Sequence, residues 1–516
     1  MASTSLLATA FGALLLFQIW RVVQRLFFHP LSSVPGPKIA AATTLYEFYW
    51  NAICGGKLFL RWEEMHKKYG PIVRLGPNEV HISDPTYWDV LYNSTNKLDK
   101  YARFYCFDAG TNIAGITTVK HEVHRRRRGP ISKFLSAANV AKLEPRVHVH
   151  LKKMLDRFDE FGRAGKPCDC FNAFRSLTMD VISMFCEPTP RHNLDAPDFD
   201  PPMHRTIRTA AQTMDIQKFI PIMQVMDLVP ISVWRYLDPE VTKLVEKREV
   251  LRNTAKQIAA EGGNPTSREM TVLDAIASSD LLPPEDKTPL RMAYEAEMVL
   301  GAGTETTSNT LGNLVFYVLS NPKVHERLRN EVLSCSTAPT DELVDFQTLN
   351  KLPYLTAVIQ ESLRVASPVS GRLPRVNPTS PMTYTTPGPH PTTYTFPPGT
   401  VMSMSQRDLH NNPDIFPDPE KFEPERWLPA TDPACTATPE QRRLMDRYWV
   451  PFSRGSRNCI GLELAKQELG LVTGNLFRRF DLELFETTER DVRAEHDFFA
   501  PYAAADSEGV RVKIKY

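Results

Sequence analysis

The apolar pattern of the chain begins at its start. Residues 2–20 carry no charge, and Val22, Val23, Leu26, Phe27 and Phe28 extend the run past Arg21 and Arg25. About 20 apolar residues suffice to cross a bilayer. The pattern predicts a single-pass anchor over residues 1–28. A cleaved signal peptide fits less well, because no positive charge precedes the run and no small-residue cleavage site closes it. A peripheral amphipathic segment is the other alternative. Arg21 and Arg25 follow the span, so the body is expected on the cytoplasmic side, with Trp20 at the interface. Pro30, Pro35 and Pro37 then resist helix, and residues 29–38 read as a stiff extended hinge.

From residue 39 to 516 the chain reads as one unit, without internal repeat, low-complexity tract or separating linker. Helical periodicity dominates. Thr288 and Pro289 supply the cap and first-turn residues of a helix running from Leu290 to Leu319. Its apolar faces carry Met292, Ala296, Val299, Leu300, Leu311, Leu314, Val315 and Leu319. Leu352, Leu355, Val358, Ile359 and Leu363 mark another helix. Strand-like runs are short, over residues 72–75 and 80–82, and the Thr-, Pro- and Tyr-rich residues 376–400 read as loop with short strands. The expected fold class is mainly α with small β-sheets: a large helical body plus a smaller β-rich region, behind a transmembrane helix.

Composition changes this picture only at the margins. Sixty-one Lys and Arg against 60 Asp and Glu leave a net charge of +1, which argues against a nucleic-acid binder working by bulk electrostatics. Eight cysteines in 516 residues are too few for a disulfide scaffold, so a functional cysteine must be found by its local context.

That context is Pro451-Phe452-Ser453-Arg454-Gly455-Ser456-Arg457-Asn458-Cys459-Ile460-Gly461. A glycine-containing loop delivers Cys459 to the start of a helical pattern, where free N–H groups and the helix dipole are expected to lower the thiol pKa. Gly461 leaves room for something flat and large against the backbone. Arg457 can meet an anionic edge of the same object, and Phe452 can pack below it. A thiolate axial ligand to haem iron satisfies all of these together.

The spacing F-x-x-G-x-R-x-C-x-G resembles the haem-binding loop of the cytochrome P-450 family. Further motifs follow in the family's order. Gly301-Ala302-Gly303-Thr304-Glu305-Thr306, at the centre of the long helix, is similar to the A-G-x-E-T that crosses the distal haem face. The resemblance implies that Ala302 and Gly303 lie against the haem, that Thr306 donates to bound dioxygen, and that Glu305 feeds protons from water. Helix packing is the plain alternative for this stretch. Glu361 and Arg364 form an E-x-x-R pair, and Phe422-Glu423-Pro424-Glu425-Arg426-Trp427 resembles the later P-E-R-F/W segment. By resemblance Glu361, Arg364 and Arg426 form a buried triad that supports the cysteine loop.

The run from His124 to Pro130 stands where the family carries W-x-x-x-R against the haem propionates. This chain lacks the Trp and the register is open: Arg127 fits when counted back from Phe134, the pair His124 and Arg128 is the other option, and a solvated basic face is a third. Arg375 is another propionate candidate. The remaining arginines, with Arg454 and Lys466, are candidates for a patch that docks an acidic electron donor.

The resemblance implies a haem-thiolate monooxygenase with haem b as cofactor. It would use dioxygen and electrons from an NADPH-cytochrome P-450 reductase, and sit in the endoplasmic reticulum membrane. Residues 28–31, 35–43 and 45–50 look like filamentous-fungal secondary-metabolite members such as the trichodiene oxygenase group. The rivals are a redox-neutral isomerase or dehydratase on the same fold, and a haem sensor or carrier without turnover. In the family the pocket draws on segments near 102–118, 208–232, 294–302, 366–373 and 497–503. Here these hold Phe104, Phe107, Ile113, Met298, Val369, Phe498 and Phe499, which implies a lipophilic small molecule such as a terpenoid or polyketide.

Overall fold

The computed structural model describes residues 2–108, 111–189, 191–220, 228–237 and 239–515. The chain begins with α1 (Ala2–Val23), then passes through α2 (Leu58–Tyr69) into strands β1 (Ile72–Gly76), β2 (Glu79–Ile82) and β3 (Asp99–Lys100). Helices α3 (His121–Phe134), α4 (Ala137–Arg163), α5 (Cys170–Cys186), α6 (Pro202–Gln217), α7 (Pro239–Ala260), α8 (Pro289–Leu319) and α9 (Pro353–Ala366) build the body. Strands β4 (Arg375–Val376) and β5 (Val401–Ser403), helix α10 (Leu462–Arg479) and the hairpin β6 (His496–Phe498) and β7 (Ala500–Tyr502) complete the site-bearing elements.

The 31-residue α8 is the axis of the body. Thr288 caps it by accepting from Arg291 N–H, with Pro289 in the first turn. Met292, Ala296, Leu300, Leu311, Leu314 and Val315 are buried, as the periodicity predicts, while Val299 and Leu319 are half-buried. Its hydroxyls also enter the core, because each is satisfied one turn back: Thr304 donates to Leu300 O at 2.8 Å, Ser308 to Thr304 O at 2.7 Å, and Thr310 to Thr306 O at 2.9 Å. Helix α5 packs along it so closely that a Cβ on Gly303 would lie 2.8 Å from Ile182 Cγ1. The open side of Gly303 thus serves helix–helix packing.

One five-stranded sheet runs in the order β1–β2–β5–β4–β3, with β2 and β5 parallel and the other pairs antiparallel. Its register sets Lys100 directly opposite Arg375. The hairpin β6–β7 hangs over α8, where Asn309 Nδ2 donates to Pro501 O at 3.0 Å.

The proline-rich segment is part of the body and not a free spacer. Leu31 and Val34 are buried in the main core, and Arg74 ties the entry by donating to Arg25 O at 2.9 Å. Of α1 and the turn after it, residues Thr9–Phe28 are apolar enough to cross a membrane, and none of that span is buried.

Candidate active site

The cysteine loop is fixed by its backbone. Ser453 and Gly455 take φ of +56° and +74°, and Cys459 N–H donates to Phe452 O at 2.8 Å. Gly455 is required twice over, by its φ and because a Cβ there would lie 2.5 Å from Tyr92 O. Cys459 is the exposed one among the eight cysteines, and the surface it exposes faces an interior cavity of about 250 Å³. Phe452, Arg457 and Gly461 border the same cavity, and a Cβ on Gly461 would meet no atom within 4 Å. Burial pushes the Cys459 thiol up, against the pull of the Gly461 N–H and the Arg128 guanidinium. The lowered thiol expected from the helix terminus is therefore outweighed by enclosure. Cys459 sits before the first turn of α10, whose first residue is Leu462.

At one end the cavity is strongly basic. Lys100, Arg128, Arg375 and Arg457 all border it, together with His124. Lys100 Nζ donates to Ile116 O, and Arg375 Nη1 donates to Tyr105 Oη at 3.0 Å. Arg457 donates to Thr118 O at 2.8 Å and Val119 O at 2.7 Å, while its Nε and the Nδ1 of His124 are buried without partners. Burial, then Arg457 and the neighbouring cations, push Lys100 well below the usual amine range. The same causes push His124 down to about 2. Cations so gathered, with orphaned donors among them, suit a ligand carrying carboxylates on one edge.

Two residues of the basic run border this cavity. His124 and Arg128 stand four apart on one face of α3 and reach the cavity. Arg128 also grips the loop, donating to Asn458 O at 2.7 Å and Asn458 Oδ1 at 2.8 Å. Arg127 does not reach the cavity: rotated about 100° from Arg128 on the helix, it pairs with buried Asp286 at 2.7 Å and donates to Thr118 Oγ1 at 2.9 Å. Arg127, expected against the propionates, thus stands with Asp286 and away from the cavity lining.

The middle of α8 borders the same cavity as Cys459. Ala302 is exposed there although the helix is otherwise largely buried, and Thr306 Oγ1 donates to Ala302 O at 2.9 Å. Glu305 faces an adjoining chamber of about 170 Å³. Its two oxygens are held separately: Arg175 Nε donates to Oε1 and Tyr502 Oη to Oε2, each at 2.9 Å. Neither partner was apparent in the sequence, because α5 and β7 lie 130 and 197 residues away.

The chamber joins the cavity at Ile116, Met298, Ala302, Thr306 and Phe499. Phe107 and Phe498 line it, and Val369 lines the cavity. Phe104 and Ile113 do not. Phe104 packs edge-on or tilted against Tyr105, Phe107 and Phe499, and Ile113 packs on Ala114 and Tyr294. Of the segment near 208–232, Ala210, Ala211, Met214 and Gln217 contribute, and residues 221–227 lie outside the described residues.

Glu361, Arg364 and Arg426 do converge. All three are fully or nearly fully buried; Arg364 pairs with Glu361 at 2.8 Å and Arg426 Nε lies 3.3 Å from it. Trp427 Nε1 also donates to Glu361, at 2.8 Å. The connection to the cysteine loop runs through a residue the motifs did not mark. Arg364 donates to His410 O at 3.0 Å, and His410 Nε2 accepts from Val450 N–H at 3.0 Å, one residue before the loop. Arg454 and Lys466 stay half-exposed beside Asp89 and Glu463, at 3.5 and 3.9 Å.

Comparison with known proteins fits this geometry. The sequence model of the family described as Cytochrome P450 matches residues 42–501. The chain is 35% identical over 510 residues to the cytochrome P450 monooxygenase oblB of Cochliobolus heterostrophus, covering 96% of this chain and 94% of that one. It is 34% identical over 514 residues to the fusicoccadiene C-8 hydroxylase of Phomopsis amygdali, with 96% and 94% covered. It is 33% identical over 497 residues to the tryptophan 6-hydroxylase fscE of Fusarium equiseti, again with 96% and 94% covered.

Proposed function

The chain belongs to the cytochrome P450 family and is a haem b monooxygenase, and from that premise we propose how its own residues divide the work. Cys459 would hold the haem iron through its sulfur. Lys100, Arg128, Arg375 and Arg457 would hold the haem propionates, with Lys100 an addition to the candidates read from motifs. One observation carries this reading: a cysteine sulfur and four cations border one cavity, and α8 bears its exposed Ala302 on the same space.

Bound haem supplies reductive activation of dioxygen and transfer of one oxygen atom to a substrate carbon, the other leaving as water. The chain supplies the rest. Arg128 and the Gly461 N–H would favour the thiolate form of Cys459 against the effect of burial. The Thr306 hydroxyl, now on Ala302 O, can turn to donate into the cavity it borders. Glu305, steered by Arg175 and Tyr502, holds and passes the protons that water formation requires. Phe107, Phe498 and Phe499 exclude water and orient a lipophilic substrate.

The relatives' names cover substrates as different as fusicoccadiene and tryptophan. The shared role is hydroxylation in fungal secondary metabolism, and we place this enzyme there. The apolar length of Thr9–Phe28 supports a single-pass membrane anchor, and we propose the endoplasmic reticulum as that membrane, with the body cytoplasmic. Electrons then arrive singly from an NADPH-cytochrome P-450 reductase docked near Arg454 and Lys466.

The test is the carbon monoxide difference spectrum of the dithionite-reduced protein, expressed with α1 in membranes, beside Cys459→Ser. A strongly red-shifted Soret band in the wild type alone is expected. An unshifted band in folded wild-type protein would remove the thiolate assignment.

A further inference from the structure

Positive charge gathers where α1 meets the body. Arg25, in the turn Gln24–Phe28 after α1, donates to Ala42 O at 2.7 Å, at the end of the short helix Lys38–Ala42. Arg74 on β1 reaches the same turn from behind, with Nη1 on Arg25 O at 2.9 Å and Nη2 on Pro77 O at 2.7 Å. Its Nε is buried without a partner. These bonds all end on neutral carbonyls, so none of them cancels a charge.

The electrostatics of the corner have one sign. Burial first, then Arg25, push Arg74 down to about 10. Burial, then Arg74 and Arg25, push His29 below its usual range. Among the described residues the charges acting on Arg74 and His29 are thus all positive. Enclosed cations without a counter-ion are costly, and an anion arriving at half-buried Arg25 relieves both arginines at once.

The surroundings say which kind of anion. Phe27 and Phe28 in the turn, Ile39 in the short helix, and Leu45 and Ile53 after it are all exposed. The segments that carry them pack in succession. The short helix lies on the turn and on α1, Leu45–Phe48 lies on the short helix, and Tyr49–Ile53 lies on Leu45–Phe48. Together they continue the unburied apolar span Thr9–Phe28 onto the body. A free inorganic anion gains nothing from such a rim. A molecule with an anionic head and hydrocarbon tails matches both halves, and Arg25 stands near the end of the span, at headgroup depth.

We propose that Arg25, backed by Arg74, binds the phosphate of an anionic phospholipid whose acyl chains lie along Phe28, Ile39 and Leu45. This rests on the reading of Thr9–Phe28 as a membrane anchor and gives that anchor a lipid preference. Arg25 makes the contact. Arg74, which is buried, adds its charge from behind and holds the backbone of the turn.

The experiment uses the full-length haem-loaded protein in nonionic-detergent micelles holding equal amounts of phosphatidic acid and phosphatidylcholine. Native mass spectrometry then reads which lipid stays on the protein. On wild type the phosphatidic acid adduct should exceed the phosphatidylcholine adduct about fivefold or more, the scale of one basic residue at an anionic lipid surface. Arg25→Gln should bring the ratio to about twofold or less, while Arg25→Lys keeps it. Arg163→Gln, the same loss of charge at an exposed position of α4, should also keep it. Excess glycerol 3-phosphate, the water-soluble headgroup, should not displace the lipid. Equal adducts on wild type, a preference that survives in Arg25→Gln, or displacement by glycerol 3-phosphate overturns the proposal. Alkaline carbonate extraction of the expressing membranes separates the two readings. Protein released by carbonate removes the anchor reading and the site with it, whereas protein that stays in the membrane without a lipid preference refutes the headgroup site alone.

Discussion

The hydroxyl of Tyr502 donates to Oε2 of Glu305 at 2.9 Å, across 197 residues of sequence. This fixes the carboxylate's second oxygen while Arg175 fixes the first. Tyr502→Phe should therefore leave haem content and the carbon monoxide band unchanged but loosen the proton-delivering group. Product formed per electron pair is expected to fall about three- to tenfold, the range for losing one hydrogen bond to a charged group, with the balance appearing as hydrogen peroxide. Unchanged coupling would show that Arg175 alone orients Glu305.

Arg426→Ala addresses the support of the cysteine loop. Glu361 would keep Arg364 but lose the second cation, 3.3 Å away, inside a site where none of the three residues is more than 2% exposed. Breaking a buried ionic network by one partner costs about 3–5 kcal/mol. The expected result is protein largely without haem, read as the pyridine haemochromogen ratio to polypeptide. Normal loading would mean that the His410–Val450 link holds the loop unaided.

Arg127 and Arg128 are neighbours in sequence with opposite predicted phenotypes. Arg128→Ala removes a cation from the cavity and both donors to Asn458, so haem retention on dilution should drop at least about tenfold, as expected for charge-assisted contacts. Arg127→Ala should retain haem normally and lower the melting temperature by a few degrees at most, because Arg126 still pairs with Asp286 at 2.7 Å. Loss of haem from the Arg127 variant would reverse the register.

These pairs show what the sequence could and could not disclose. Motifs with short spacing found the cysteine loop, the E-x-x-R helix and the centre of α8, because local geometry ties those residues to one another. The apolar period of α8 likewise marked its buried face. Lys100 escaped notice because it stands in a two-residue strand, and only the cross-strand register opposite Arg375 brings it to the cavity. Tyr502, Arg175 and His410 are long-range partners, and no periodicity marks such contacts. A run of four arginines has no internal phase, so the sequence leaves Arg127 and Arg128 both open. The phase comes from Asp286, on a distant turn.

A last relationship gives a pH dependence. On α2 and β2, His66 Nε2 lies 2.8 Å from His81 Nδ1, and His66 Nδ1 lies 2.8 Å from Gly70 O. His81 Nε2 faces Asp408 Oδ2 at 3.7 Å, and Trp62 Nε1 donates to Asp408 Oδ1 at 3.2 Å. Burial pushes His66 down to about 4 and His81 well below the usual range, so both rings are neutral at physiological pH. Burial, then Glu63, push Asp408 up to about 7 from an ordinary 3.8. The folded state thus holds a proton on Asp408 that the unfolded state has released between about pH 4 and 7. Stability from this group is fullest below that window, declines through it, and is level above. Asp408→Asn keeps an acceptor for Trp62 and a donor for His81 while removing the titration. The variant should gain on wild type as pH rises through the window, by at most about 4 kcal/mol above pH 7. Urea midpoints of both proteins at pH 5 and pH 8 test this, since other titrating groups cancel in the difference. A gap that does not widen between the two pH values would mean Asp408 is ionised in the folded protein throughout.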